Sequence, residues 1–384
     1  MSHVEGFNTR FVHAGQEFEP RTGAVVPPVH FSTTYAPEAI GQLRAGYDYG
    51  RGTNPTRDSL QTQLAAAEQG THAFSFGSGL AAEDSLIRAI LRPGDHIVLG
   101  NDVYGGTYRL LTRVLGPWGI GSTPVDMSDA NAVAAAIEAN GAKLVWVETP
   151  SNPMMKITDI AALAEIAHAA GALLVVDNTF ASPFLQQPLS LCADIVVHST
   201  TKYIGGHSDV VGGAVVVKDE ALAEQIGFIQ FAVGAVSGPM DAYLTTRGLK
   251  TLGVRMRAHS ENASQIATWL RDRKEVEHVL YPGFAEHPGH EIAKRQMRDF
   301  GGMVSVQLAG GAQAARKVAE STRLFTLAES LGGIESLMNY PSEMTHASVK
   351  GTELAVPENL LRLSVGIEDA ADLIDDLERA FTTL

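Results

Sequence analysis

Between residues 73 and 217 the chain repeats one texture: a short unbroken apolar run, then a stretch with a single apolar face. The runs are AFSF, HIVLG, KLVWVE, ALLVVD, ADIVVH and GGAVVV; LAAEDSLIRAIL, DANAVAAAIEAN and TDIAALAEIAHAAG lie between them. A strand with no polar alternation has no face to offer water, so it must be covered on both sides. Amphipathic helices of about three turns between such strands supply the cover. The pattern predicts an α/β unit with a mostly parallel sheet sandwiched by helices. Leu60, Leu64 and Ala65 mark a further helix ahead of the first strand.

The flanks read differently. Residues 1–55 are rich in glycine and proline and weakly periodic, as in VVPPVHFSTTYAPEAIGQLRAGYDYGRGTNPTR, and predict an extended arm. Residues 56–250 hold the alternating unit. From 251 to 384, polar-faced helices precede GMVSVQL, LFTLAES and LLRLSVGI as strands, with DAADLIDDLERAF as a closing helix, which predicts a smaller α+β domain. Hydrophobic residues make up 45% of the chain, enough for a large core and too many for disorder. A formal charge of −14 argues against nucleic acid or an anionic membrane as partner. No apolar run approaches the roughly 18 residues of a spanning helix, and MSHVEGFNTR lacks the apolar centre of a secretory signal. Cys192 is the single cysteine, so no internal disulfide forms, and no role for it is evident. A cytoplasmic enzyme or binding protein is expected.

Ligands of open parallel sheets sit beyond the carboxyl ends of the strands. LVWVE ends in Glu148 and runs into TPSNP, LLVVD ends in Asp177, DIVVH runs into STTK and Lys202, and AFSF runs into GSG and a helix. The helix opening after Gly77–Gly79 offers free amides and a positive dipole end to a phosphate. A lysine and an aspartate from adjacent strands, facing such a cradle, fit pyridoxal 5′-phosphate. The amine forms the Schiff base, the carboxylate keeps the pyridine nitrogen protonated, and short hydroxyls hold the phosphate. The glycines after Lys202 are expected to let the backbone pass close to the ring.

Other readings compete. Gly77, Gly79 and Ala82 match the GxGxxA dinucleotide fingerprint, with Asp102 about 20 residues on, which would make the chain a nicotinamide oxidoreductase. A non-catalytic binding module would leave the strand-end residues incidental and the protein colourless. His287 and His290 suggest a metal hydrolase but lack helical spacing and a third ligand, so no metal site is expected. His207, near Lys202, is expected to be a packed or backbone-bonded histidine rather than a ligand.

VVDNTFASP, HSTTKYIGGHSDVVGG, LAESLGGIES, MTHAS and LRLSVGIED together resemble the Cys/Met-metabolism family of pyridoxal-phosphate enzymes, over nearly the whole chain. That family includes cystathionine γ-synthase, cystathionine γ- and β-lyases, methionine γ-lyase and homoserine-ester sulfhydrylases. The resemblance implies fold type I, the aspartate-aminotransferase-like fold with a seven-stranded sheet, and a homotetramer built as a dimer of dimers. It implies Lys202 as the Schiff-base lysine and proton carrier, Asp177 on the pyridinium nitrogen and Tyr104 stacked on the ring. Gly79, the Leu80 backbone, Ser199 and Thr201 would hold the phosphate, joined by Tyr49 and Arg51 from the neighbouring subunit. Asn152 and Arg362, aided by Ser330, would hold the substrate α-carboxylate.

Within the family, the glutamate at Glu335 argues against a β-lyase, and Gly106 stands where methionine γ-lyases carry cysteine. Asp48 stands where several γ-lyases have glutamate. Arg109 is a candidate for the distal carboxylate of a succinylated homoserine. Leu80 replaces a common methionine and Cys192 a common glycine, neither removing a charged or donor group. The implied reaction is γ-replacement, forming cystathionine from O-succinyl- or O-acetylhomoserine and cysteine. Cleavage of cystathionine to cysteine, α-ketobutyrate and ammonia is the alternative.

Overall fold

The computed structural model describes residues 6–346, 351 and 354–384. Seven strands form the larger sheet: β1 (His72–Phe76), β2 (His96–Gly100), β3 (Gly121–Val125), β4 (Leu144–Glu148), β5 (Leu173–Asp177), β6 (Ile195–His198) and β7 (Gly213–Val217). Their order is β1-β7-β6-β5-β4-β2-β3. Only β7 runs against its neighbours, pairing antiparallel with both β1 and β6. Alternating apolar residues go to opposite faces. Leu144, Trp146, Val175, Ile195 and Val215 meet helix Gly79–Ile90 on one side. Val145, Val147, Leu174 and Val176 meet helices Ala130–Asn140 and Ile160–Ala169 on the other. The unbroken apolar runs follow from this double cover.

A second sheet contains β8 (Val276–Leu280), β9 (Met303–Leu308), β10 (Thr326–Leu327), β11 (Leu337–Asn339) and β12 (Leu360–Ser364), in the order β10-β11-β12-β9-β8. Helices Leu252–Arg271, Gly311–Ala319 and Ala370–Phe381 supply Ile266, Leu270, Val318, Leu373 and Leu377 to its core. Of the LFTLAES run expected as a strand, only Thr326–Leu327 pairs. None of the described helices is long and apolar enough to cross a membrane.

The arm starts later than its composition suggests. Phe7–His13 is a helix, and Phe11 is buried in the large-sheet core beside Phe7 and Phe184. From Gln16 to Asn54 the chain forms only isolated bridges, and Phe18, Val25, Phe31 and Ile40 stand exposed. Asn54 then caps helix Pro55–Glu68 by accepting the amides of Thr56 and Arg57, with Pro55 at the first helical position, where its missing N–H costs nothing.

Candidate active site

The carboxyl ends of β4, β5 and β6, the start of helix Gly79–Ile90 and the loop before β11 enclose a cavity of about 240 Å³. Gly79, Leu80, Tyr104, Asn152, Asp177, Ser199, Thr201, Lys202, Ser330 and Arg362 all line it. The strand ends deliver their residues as the strand-end argument requires, while Arg362 arrives from β12 of the other sheet. The cavity therefore lies where the two sheets meet.

Ser78 opens helix Gly79–Ile90, its side chain accepting the Ala81 amide at 3.0 Å and its carbonyl the Ala82 amide at 3.1 Å. The first two amides of a helix have no intrahelical acceptor, so those of Gly79 and Leu80 are available to an anion. Gly213, at the start of β7, holds this turn in place: a Cβ there would lie 2.1 Å from the Ser78 carbonyl oxygen. Of the glycine pairs after Lys202, Gly213 thus serves close packing on the helix start, while Gly206, at φ +72, leaves room for the Arg255 guanidinium and Gly212 for Thr200 Oγ1. Thr201 Oγ1 bridges Gly212, accepting its amide at 3.0 Å and donating to its carbonyl at 3.2 Å. The Ser199 amide donates to Thr179 Oγ1 at 2.9 Å.

Lys202 sits in the turn after β6, its amide bonded to Ser199 O and its carbonyl to the Gly206 amide. Its Nζ donates to Ser330 Oγ at 3.2 Å and makes no ion pair within 4.0 Å among the described residues. Burial and the nearby Arg362 bring the amine down to about 8, against the pull of Asp177 and Glu329. Asp177 Oδ1 accepts the Thr179 amide at 2.9 Å. Burial raises the Asp177 carboxyl, while Thr179, His198 and Lys202 oppose the rise. Glu148, at the matching end of β4, accepts the Tyr104 amide at 2.7 Å and is held well above the usual carboxylate range by burial and by Asp177. The Tyr104 ring folds over Gly106, where a Cβ would come within 2.3 Å of the ring. Position 106 therefore has room for no side chain while the ring lies there.

Arg362 is 2% exposed, donating to Asn152 Oδ1 at 2.9 Å and to Ser330 O at 2.8 Å, with its Nε left unpartnered. Burial brings its guanidinium down to about 10. Ser330 adopts φ +82, a left-handed conformation uncommon for serine, and this places its hydroxyl by Lys202 and its carbonyl by Arg362.

Four expected residues lie elsewhere. Glu335 accepts a hydrogen bond from Ser208 Oγ and does not line the cavity. The loop turns Glu329 into it instead, a residue sequence reasoning passed over. Arg109 is exposed at the end of helix Gly105–Arg109 and does not line the cavity either. Tyr49 and Arg51 are exposed on the arm, where Arg51 donates to Phe231 O at 2.6 Å and stacks on the Phe231 ring. Ala347 and Ser348 of the MTHAS motif lie outside the described residues.

The dinucleotide reading fails on topology. It needs β1 and β2 adjacent and parallel, and they stand near opposite edges of the sheet. Asp102 is also engaged, accepting from Ser151 Oγ and the Met154 amide. His207 Nδ1 bonds to Gly205 O, and His290 Nδ1 to Pro282 O, each through the backbone.

The donor set fits pyridoxal phosphate: an amine partly freed of its proton, a half-buried carboxyl without a cationic partner within 4.0 Å among the described residues, and helix-start amides in one cavity. Residues 8–382 match the family described as Cys/Met metabolism PLP-dependent enzyme. Cystathionine gamma-synthase of Mycobacterium tuberculosis is 57% identical, over 98% of this chain and 97% of its own. Relatives called cystathionine beta-lyase or gamma-lyase match at 47–49%. The crystal structure of metB from Corynebacterium glutamicum superposes with a TM-score of 0.97 at 54% identity, covering 99% of this chain and 98% of that one. Cystathionine gamma synthase from Xanthomonas oryzae pv. oryzae in complex with cystathionine gives 0.96 at 45%, covering both chains fully. The chain belongs to the Cys/Met-metabolism family of pyridoxal-phosphate-dependent enzymes.

Proposed function

We propose that the protein is a cystathionine γ-synthase, joining an O-acylhomoserine to cysteine with loss of the acyl group. The observation that carries the reading is the meeting of Lys202, Asp177 and Arg362 in one cavity between two sheets. Full-length relatives of the synthase name also match at higher identity than those called lyases. Pyridoxal phosphate supplies an electron sink for the substrate Cα. Lys202 Nζ would bind the cofactor and then move protons between substrate carbons, a task suited to an amine near 8. Asp177 would hold the pyridine nitrogen protonated. The amides of Gly79 and Leu80, with Ser199 and Thr201, would hold the phosphate, and Tyr104 would cover the ring. Arg362, steadied by Asn152 and Ser330, would grip the substrate carboxylate and fix which Cα bond is broken.

The arm of residues 16–54 bears exposed Phe18, Phe31 and Ile40 beside Tyr49 and Arg51, a surface suited to a second copy of the chain. Tyr49 and Arg51 would then complete the phosphate site of that copy within a homotetramer. Residues 56–250 would form the cofactor domain and 251–384 the smaller domain. A paired assay tests the function. O-succinyl- and O-acetylhomoserine, each with cysteine, are followed for cystathionine, and cystathionine alone is followed for α-ketobutyrate and thiol. Faster cystathionine formation supports the synthase, faster thiol release makes the protein a lyase, and an active Lys202→Ala variant sinks both.

A further inference from the structure

Glu83 lines the cavity and has no task in the reading above. It stands one turn into helix Gly79–Ile90, four residues after Gly79, and so shares the face of the helix start. The residue is 4% exposed, yet among the described residues its Oε2 has no hydrogen-bond partner. Thr107 Oγ1, buried and also unpartnered, lies near enough to favour the ionised carboxyl slightly without completing a bond to it. The charged and titratable groups around it are Asp177 from β5, Glu148 from β4 and Tyr104 after β2, with Lys202, Glu329 and Arg362 on the other walls. Glu83 makes no ion pair within 4.0 Å among the described residues. Burial first and Asp177 second hold its carboxyl well above the usual range.

Packing alone does not explain a carboxyl here, because an apolar side chain of equal size would fill the space without an orphaned oxygen. Nor does charge. A protonated pyridine nitrogen carries one positive charge, which Asp177 balances, and a second buried anion would stand uncompensated. A neutral carboxyl, by contrast, is a hydrogen-bond donor. We propose that Glu83 is a positioning residue for the cofactor: a carboxylic acid that donates a hydrogen bond to an oxygen of the bound pyridoxal phosphate, whose protonated ring nitrogen is left to Asp177. The inference rests on the cofactor assignment above.

Glu83→Gln and Glu83→Met test it, the first keeping a neutral donor and the second keeping only the length. Apoprotein melting temperature, the Kd for pyridoxal phosphate and the pH midpoint of the visible band of the loaded enzyme are measured for each. The Met variant should melt at or above the wild-type temperature as apoprotein, since a buried carboxyl has been removed, yet bind the cofactor about three- to tenfold more weakly. The Gln variant should rescue that affinity to within about twofold and leave the pH midpoint in place, as one neutral donor replaces another. Equal affinity in the Met and wild-type proteins would overturn the proposal. So would a Gln variant whose midpoint moves by about one pH unit or more, because Glu83 would then be an anion. A wild-type protein that takes up no pyridoxal phosphate would overturn the cofactor assignment instead.

Discussion

Lys202 has a measurable cost before any cofactor arrives. Its amine titrates near 8 in the folded apoprotein, against 10.5 for an unburied lysine. Below pH 8 both states hold the proton, and the buried charge costs about 3 kcal/mol of stability. Between pH 8 and 10.5 the unfolded chain binds more protons than the folded one, so stability rises with pH and the penalty fades. Lys202→Met keeps the apolar stem, removes the charge and gives up the Ser330 hydrogen bond, itself worth about 1 kcal/mol. The net gain at pH 7 is about 2–3 kcal/mol. For 384 residues that is a rise in melting temperature of about 3 °C. Thermal unfolding of both apoproteins at pH 7, 8, 9 and 10.5 checks this. A Met variant melting at or below wild type at pH 7 refutes the reasoning, and so does a gap that stays constant with pH.

Three further perturbations read the site directly. Gly106→Ala puts a Cβ against the Tyr104 ring, so kcat should fall by about tenfold or more with far-UV circular dichroism unchanged; an unaltered kcat would mean the ring does not work from this position. Arg362→Lys removes the two-pronged grip and should raise KM about ten- to a hundredfold while the cofactor band stays as it is, so loss of the band instead would place Arg362 among the cofactor's supports. If Arg51 serves the neighbouring subunit, co-refolding inactive Arg51→Ala with inactive Lys202→Ala should restore roughly a quarter of wild-type activity, from mixed dimers with one intact site; no recovery would assign both residues to one chain's site.

Much of the larger sheet and most of the cavity lining were legible because strands buried on both faces leave unbroken apolar runs, and their polar ends mark the rim. β3 was not, because GSTPV carries glycine and proline, which an edge strand tolerates and a central strand does not. The reversal of β7 leaves no trace either, since GGAVVV reads alike in both directions. Phe11 looked like part of the arm because seven residues are too few to show a helical period. Glu329 and Glu335 share one loop, LAESLGGIES, and only the backbone path decides that the first faces the cavity and the second faces Ser208. Glu83 resembles a solvent-facing helix position, and nothing local betrays that Thr107 and Asp177 close over it.

The reversed β7 also fixes an order of events at the ribosome. Among the described strands it is the sole sheet neighbour of β1, and it is made roughly 140 residues later, which at 5–20 residues per second is about 7–28 s of synthesis. Through that interval His72–Phe76 has no strand to pair with, although Phe76 ends fully buried. β3, β4, β5 and β6 can associate as they emerge, each beside a strand already made. The nascent chain therefore carries an open, apolar edge until Gly213–Val217 leaves the exit tunnel, and that edge is where a chaperone or a misfolded sister chain would bind first.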